Sequence, residues 1–233
     1  MINPDVITRS KRKTLSIVIT SDARVVVKAP LKLSLNEIER FLLSKQSWME
    51  QKLAEISKNR FNNDDIINYK RLMILGTKYD VYKSDRLSKI TLDKDRIIIP
   101  SKFEDEKLLH EIKKWYKKLA AEIILSRCDE LSNQIKLLAK EVKISDTRGR
   151  WGACSSRGKI SFNFRVVMLP KYMLDYVIIH ELSHLVEMNH SAKFWQIVSL
   201  YIPNYNYVRR QMKQYNFLLK LLWAVGETPT AFY

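Results

Sequence analysis

The first half of the chain alternates hydrophobic and polar residues over short stretches, which is typical of β-strands. Residues 14–28 hold two such stretches around the polar segment Ser21-Asp22-Ala23, and this arrangement predicts a β-hairpin. Residues 35–58 place hydrophobic side chains at helical spacing and predict one helical segment, capped by Ser34 or Asn36. Four further hydrophobic runs predict strands, at 72–75, 79–82, 90–92 and 97–99.

The hydrophobic period becomes helical after residue 104. Hydrophobic residues from 108 to 124 recur at helical spacing and predict a long amphipathic helix, with a continuation after a break. Pro170 fits the first turn of another helix. Two more strands are predicted at 143–147 and 159–165, and a glycine-containing turn is predicted between them at 148–158.

These patterns predict an α+β protein in two parts. A β-rich N-terminal module with one helical segment is expected over residues 1–103. A second, more helical domain that carries the candidate chemistry is expected over residues 104–233. The switch from alternating to helical periodicity is the basis for placing the boundary there.

The composition allows a globular core and excludes several classes. Hydrophobic residues make up 46% of the chain, and only 5 glycines and 6 prolines occur, so collagen-like and low-complexity sequences are excluded. Two cysteines, Cys128 and Cys154, are too few for a disulfide scaffold and suggest free thiols in a reducing compartment. The N-terminus lacks a signal-peptide pattern, and Lys220 interrupts the apolar segment 217–225. We therefore expect a cytoplasmic protein without membrane association.

The charge is strongly positive and is spread along the chain. Lysine and arginine number 41 against 25 acidic residues, which gives a formal net charge of +16. A field of this sign attracts polyanions, so nucleic acid bound through a basic surface is one expected partner. A solvated basic face without a partner is the alternative explanation.

A metal-binding motif lies in the helix that follows Pro170. The segment His180-Glu181-Leu182-Ser183-His184 has the form HExxH, which places two histidines one turn apart on the same helix face. Neutral imidazoles suit Zn²⁺, and the motif predicts one such ion. Glu181 would lie beside the metal, where it can take a proton from a metal-activated water and pass it to the leaving amine.

Two residues compete to be the third metal ligand. His190 comes six residues after His184 and can return to the metal only if the helix stops between them, for example through a left-handed turn at Asn189. Ser191 would then cap the next helix. Glu187 is the rival because it returns to the same helix face as His180. His190 is favoured, since three imidazoles and a water form a common catalytic zinc shell.

The motif and its surroundings resemble the YgjP-like (DUF45) metallopeptidases, which are related to the SprT and WLM-type zinc peptidases. This resemblance extends over about residues 7–215 and implies a zincin-like α+β catalytic domain. It implies His180, His184 and His190 as zinc ligands and Glu181 as the catalytic residue. Ala153 departs from the family pattern, where serine is usual. The resemblance rests on HELSH at 180–184, Asn189-His190-Ser191, Phe194-Trp195, Arg150-Trp151-Gly152-Ala153-Cys154-Ser155, Asn163 and Pro170.

Substrate contacts are predicted upstream of the motif. In zincins a strand beside the active-site helix binds an extended peptide by strand addition, and the strand Lys159–Arg165 is the candidate edge. Arg150 or Asn163 is a candidate to polarise the scissile carbonyl or to orient the catalytic groups. A structural ion pair is the alternative role for Arg150.

The sequence therefore favours a zinc-dependent metallopeptidase that acts on a peptide or protein substrate. The alternative is a nucleic-acid-associated basic protein with a structural zinc site, or a protease recruited to DNA. No zinc knuckle, helix-turn-helix or RNA-binding aromatic signature supports that alternative directly. Metal-dependent hydrolysis of a substrate other than a peptide ranks last.

Overall fold

A computed structural model of the chain describes residues 2–20, 23–62, 66 and 68–222. These residues form a mixed α+β structure with six helices and three sheets. The chain divides into two compact units, Met1–Asp65 and Ile66–Tyr233. Among the described residues, no helix has both the length and the hydrophobicity needed to cross a membrane.

The first unit contains the predicted hairpin and one strand that the pattern missed. Strand β2 (Ser16–Ile19) pairs antiparallel with β3 (Val25–Pro30), and Ser21 and Asp22 of the predicted turn lie outside the described residues. Strand β1 (Val6–Ser10) pairs parallel with the other side of β3. All residues of β1 are exposed, so the strand has no buried face to produce a hydrophobic alternation.

Two helices, rather than one, follow these strands. Helix α1 (Leu35–Ser44) ends at Lys45, and helix α2 (Gln46–Asn62) begins directly after it. Ser34 caps α1, since its hydroxyl accepts from the Glu37 N–H while the Glu37 side chain accepts from the Ser34 N–H. The core of the unit consists of Val25, Val27, Ala29, Ile38, Leu42 and Met49.

The second unit begins with a four-stranded sheet in which all four predicted runs appear. Its strand order is β4-β5-β7-β6, with β5 and β7 parallel and the other neighbours antiparallel. The strands are β4 (Arg71–Ile74), β5 (Thr77–Ser84), β6 (Thr91–Asp93) and β7 (Arg96–Pro100).

A long helix, α3 (Asp105–Ile135), runs without the expected break until Lys136, whose φ of 60° ends it. The hydroxyl of Tyr116 in this helix donates to the carbonyl of Met73 and accepts from its N–H, at 3.0 and 2.9 Å. Tyr116 and Met73 belong to one hydrophobic core with the helix that carries the HExxH motif. The division between compact units therefore differs from the expected boundary at 103/104, because the four-stranded sheet shares this core.

A three-stranded sheet precedes the motif, and its strand order corrects one prediction. The strands are β8 (Glu141–Ser145), β9 (Gly152–Cys154) and β10 (Lys159–Asn163), in the order β8-β10-β9. The expectation that Lys159–Arg165 forms an open edge is wrong, because β10 is paired on both sides. Its C-terminal end is also shorter, since Phe164–Met168 form a 3-10 helix. The edge beside the motif is β9.

The remaining elements are helical. Helix α4 (Lys171–Ser183) carries the motif, and α5 (Ala192–Tyr201) and α6 (Tyr205–Met212) follow it. A 3-10 segment, Lys213–Lys220, comes last among the described elements. Residues 223–225 of the late apolar segment lie outside the described residues.

Candidate metal centre

Helix α4 is a core helix that is exposed at its first two residues, Lys171 and Tyr172, and buried along most of the rest of its length. Pro170 precedes its first residue, and the apolar residues leading to the motif are buried on all sides, as expected for an internal helix. His180 lies in the last turn, and His184 is the C-cap residue. The burial of the helix fixes the direction of both imidazoles, because the helix cannot rotate without exposing its core residues.

The chain turns back directly after His184. The N–H of Glu187 donates to the Ser183 carbonyl at 3.1 Å, which closes the last turn. The expected left-handed turn at Asn189 is wrong, since Asn189 is not among the residues with positive φ. Ser191 does cap α5, where its hydroxyl accepts from the Phe194 N–H at 3.3 Å. A tight turn and a new helix cap thus bring His190 back over α4.

Three imidazoles converge at this turn. The Nε2 atoms of His180 and His190 lie 3.0 Å apart, and one ring nitrogen from each of His180, His184 and His190 lies within 4.8 Å of the others. A tetrahedral zinc ion with Zn–N bonds of about 2.0–2.1 Å places its ligand nitrogens roughly 3.3 Å apart. The three histidines fit such an ion without a large rearrangement.

The second ring nitrogen of His184 supports the same assignment. Nδ1 of His184 lies 3.0 Å from the carbonyl oxygen of Glu187, so a proton on Nδ1 donates there and leaves Nε2 free to bind a metal. The backbone of Glu187 thus orients a ligand, while its carboxylate accepts from the Asn189 N–H at 3.4 Å. The carboxylate of Glu187 is not part of the histidine group.

Two aromatic side chains from α5 pack against the imidazoles. Phe194 is fully buried and lies 4.4 to 4.9 Å from the ring centroids of all three histidines. Trp195 stacks on His190 with centroids 5.5 Å apart and an angle of 22° between the planes. These rings hold the imidazoles from the side that faces α5.

Burial keeps His180 uncharged. Desolvation, followed by the effects of His184, His190 and Arg209, lowers the pKa of His180 to about 3. Burial also lowers the pKa of His190, with further contributions from His184 and Arg209. Neutral imidazoles have the lone pairs that a metal ion requires.

Glu181 lies beside the histidines in a closely fitted position. Its side chain is only 6% exposed, and burial raises its pKa to about 7, although the charge of Arg150 acts in the opposite direction. Gly152 of β9 lies against this carboxylate, since a Cβ at that position would come within 2.7 Å of Cγ and Oε1 of Glu181. The glycine therefore allows the strand and the carboxylate to approach each other.

The two candidate substrate residues occupy different environments. Arg150 is exposed and close enough to Glu181 for its charge to act on that carboxylate. Asn163 is fully buried, and its amide donates to the carbonyls of Thr147 and Arg150 at 2.7 and 3.1 Å. Its carbonyl oxygen accepts from the N–H and the guanidinium of Arg165. Asn163 thus has no free atom for a substrate carbonyl, and it supports the loop that carries Arg150.

Two residues near the centre were missed by the sequence analysis. Tyr176 lies one turn before His180, with ring centroids 5.8 Å apart, and the four-residue spacing Tyr176, His180, His184 could have identified it. Arg209 of α6 lies over Trp195, 4.6 Å from the ring centroid. No local pattern identifies Arg209, because its contact depends on how α6 packs on α5.

A mixed α+β fold with three convergent histidines and a buried glutamate is the architecture of a metal-dependent hydrolase. The chain belongs to the YgjP-like metallopeptidase family, whose metallopeptidase domain matches residues 13–215. Membership implies a metal cofactor. The resemblance inferred from the sequence motifs is thereby confirmed.

The chain is similar to the crystal structure of the metallopeptidase zymogen of Pyrococcus abyssi abylysin, with 22% identity and a TM-score of 0.36. The similarity covers 40% of this chain and 94% of that chain. No curated protein matches the sequence significantly.

Proposed function

We propose that this protein is a zinc-dependent metallopeptidase, with His180, His184 and His190 as metal ligands and Glu181 as general base and general acid. The observation that carries the proposal is the convergence of three imidazole nitrogens within 4.8 Å beside a buried carboxylate. Family membership supports the reaction class. When bound, the metal would act as a Lewis acid that polarises the scissile carbonyl and acidifies water.

Glu181 transfers the proton in this reaction. Its carboxylate accepts a proton from the attacking water as the new carbon–oxygen bond forms. It then gives the same proton to the departing nitrogen as the carbon–nitrogen bond breaks, which leaves Glu181 unchanged after each cycle. Gly152 holds this carboxylate in place by allowing β9 to run directly beside it.

The substrate backbone binds along β9 in this proposal, in place of the β10 edge expected from the sequence. The N–H of Asn163 donates to Trp151, and the N–H of Ser155 donates to Lys159, which places residues 151, 153 and 155 in the pairing with β10. The alternation of an antiparallel ladder directs the backbone groups of Gly152 and Cys154 to the opposite side. Those groups are available to an added peptide strand next to Glu181.

Arg150 is a candidate for orienting the substrate carbonyl or the carboxylate of Glu181. It lies at the end of the loop that Asn163 holds through the carbonyls of Thr147 and Arg150. Arg150 has no ion pair among the described residues, so its exposed guanidinium, close to Glu181, can donate to a developing negative charge without first breaking one.

The test is the substitution Glu181→Gln, measured by metal analysis and by cleavage of a mixed peptide library with mass-spectrometric detection. We expect full metal content and a loss of hydrolysis of roughly 100-fold or more, because the general base is removed while the ligands remain. Glu187→Gln is the matched control and should keep both metal and hydrolysis, since it retains the backbone carbonyl that orients His184. Hydrolysis at the wild-type rate by Glu181→Gln, or no cleavage by metal-loaded wild type, would refute the proposal.

A further inference from the structure

Helix α6 places one cation at the edge of the metal centre. Tyr205 and Arg209 are four residues apart and therefore lie on the same side of α6. Tyr205 stacks on Trp195 with centroids 5.0 Å apart and planes 9° apart, and the Arg209 guanidinium lies 4.6 Å from the Trp195 ring centroid. A cation over an indole is held in a defined position.

Trp195 connects this cation to the metal ligands. Its ring lies 5.5 Å from that of His190 and 5.9 Å from that of His180, measured between centroids. Arg209 is exposed, so its polar face is accessible to a ligand.

Arg209 has no acidic partner among the described residues. The partly buried Arg127 is paired with Asp175 and Glu130, and the buried Arg165 is paired with Asp146. Within the described residues, the side-chain contact of Arg209 is with the Trp195 ring. Its guanidinium therefore keeps all its hydrogen-bond donors available.

A free cation at this position is electrostatically costly. It would repel a metal cation held by the three histidines, and Arg150 adds a second positive charge on the side of Glu181. An anion that binds here would be attracted by all of these cations together.

We propose that Arg209 is a specificity residue that binds a carboxylate of the substrate beside the scissile bond. The site thus prefers peptides with an acidic side chain, or a free C-terminal carboxylate, next to the bond that is cut. This inference rests on the proposed peptidase function. The planar guanidinium suits a carboxylate because it can donate two parallel hydrogen bonds.

The test compares kcat/KM for peptide pairs that differ only by Glu or Gln at each position flanking the cleaved bond. For wild type we expect kcat/KM to be about tenfold higher with Glu at one position, because the Arg209 guanidinium would form a charge-assisted pair with that carboxylate. In Arg209→Gln this ratio should fall towards one, and in Arg209→Glu a Lys peptide should become the better substrate. Arg210→Gln removes the same charge from the next exposed residue and should leave the ratio unchanged.

Two arms distinguish the source of the carboxylate and separate the two proposals. Peptides with a C-terminal acid or amide show whether the end of the chain supplies the anion. In a Glu181→Gln background, calorimetric binding of the Glu and Gln peptides gives the preference without hydrolysis. If wild type cleaves the peptides, but the Glu/Gln ratio of kcat/KM is the same in wild type and Arg209→Gln, the role of Arg209 alone is overturned. A binding preference lost in Arg209→Gln, without any cleavage by wild type, overturns the peptidase function alone.

Discussion

Gly152 lies directly against the carboxylate of Glu181. A methyl group there would meet three atoms of the Glu181 side chain at 2.7 to 2.8 Å, a separation that forces one of them to move. We expect Gly152→Ala to bind metal normally but to lose roughly 100-fold in kcat/KM, because a displacement of about 1 Å in a catalytic group has that effect. Metal analysis and peptide cleavage check this directly.

Ala153→Ser is the matched control for that substitution. It adds one heavy atom at the neighbouring residue, whose side chain points to the opposite face of β9. It should keep activity within a few-fold of wild type. Equal activity in Gly152→Ala and Ala153→Ser would mean that the close approach does not position Glu181.

The HExxH residues and the return of His190 could be predicted because both follow from local rules. His180 and His184 lie on the same helix face because they are four residues apart. Ser191 indicates where the next helix begins because serine is a preferred N-cap residue. The reason given for the helix stop, a left-handed Asn189, was wrong because the turn closes through Ser183 and Glu187 instead. The roles of Gly152 and Arg209 depend on contacts between distant elements, which no local pattern encodes.

At the scale of elements, Asn163 joins strand β10 to the loop 147–150. Its amide group makes both loop contacts, and its carbonyl oxygen meets the buried Arg165. We expect Asn163→Ala to lower the free energy of unfolding by about 2–4 kcal/mol, because several buried partners lose a hydrogen bond at once. Urea unfolding measures the change.

The same substitution should lower kcat/KM even at temperatures where the variant is fully folded, because Arg150 lies at the end of the released loop. Ser161→Ala is a suitable comparison, since Ser161 occupies the same strand and is only half-buried. A change in unfolding free energy below about 1 kcal/mol in Asn163→Ala would contradict the structural role of the amide.

Most strand positions in the second unit could be predicted, but the position of β9 and the order of the strands in the sheet could not. Hydrophobic alternation located β10, but a central strand and an edge strand show the same alternation in the sequence. The short β9 has three residues and a glycine, and it gives almost no periodic signal. The peptide-binding edge was therefore assigned to the wrong strand.

At the scale of the molecule, the net charge of +16 is the basis for predicting that the protein binds nucleic acid. If the basic surface binds duplex DNA, log K should fall linearly with log salt, since neutralising phosphates releases counterions. Fluorescence anisotropy with a labelled duplex at several salt concentrations measures the slope. The absence of binding at low salt would remove DNA as a partner, and Glu181→Gln should not alter the result.

The domain boundary also shows a limit of local patterns. The change from alternating to helical periodicity near residue 104 marks a change of element type, not the end of a core. Tyr116 in α3 is completely buried and hydrogen-bonds to Met73 in β4, so the two sides of the expected boundary share one interior. Contacts at long sequence separation decide which elements form a compact unit.

A cluster of charges around the buried Arg165 joins distant parts of the second unit. Arg165 is fully buried, donates to Asp146 at 2.9 Å and donates to the carbonyl of Leu221 at 2.8 Å. Lys113 and Lys117 of α3 reach the same carboxylate at 2.8 and 3.0 Å. Burial alone would raise the pKa of Asp146, but hydrogen bonds from Lys113, Arg165 and Lys117 outweigh it and hold the pKa at about 2.

Because this pKa lies below the ordinary value of 3.8, ionised Asp146 stabilises the folded state. Its contribution, of order 2 kcal/mol, is complete above about pH 4 and is lost as the pH falls through 2. We expect Asp146→Asn to lower the free energy of unfolding at pH 7 and the difference from wild type to shrink in strong acid. Urea unfolding of both proteins from pH 7 to pH 2 measures this difference. A difference that stays constant over that range would mean that the carboxylate's charge does not hold α3, the 3-10 helix and Leu221 together.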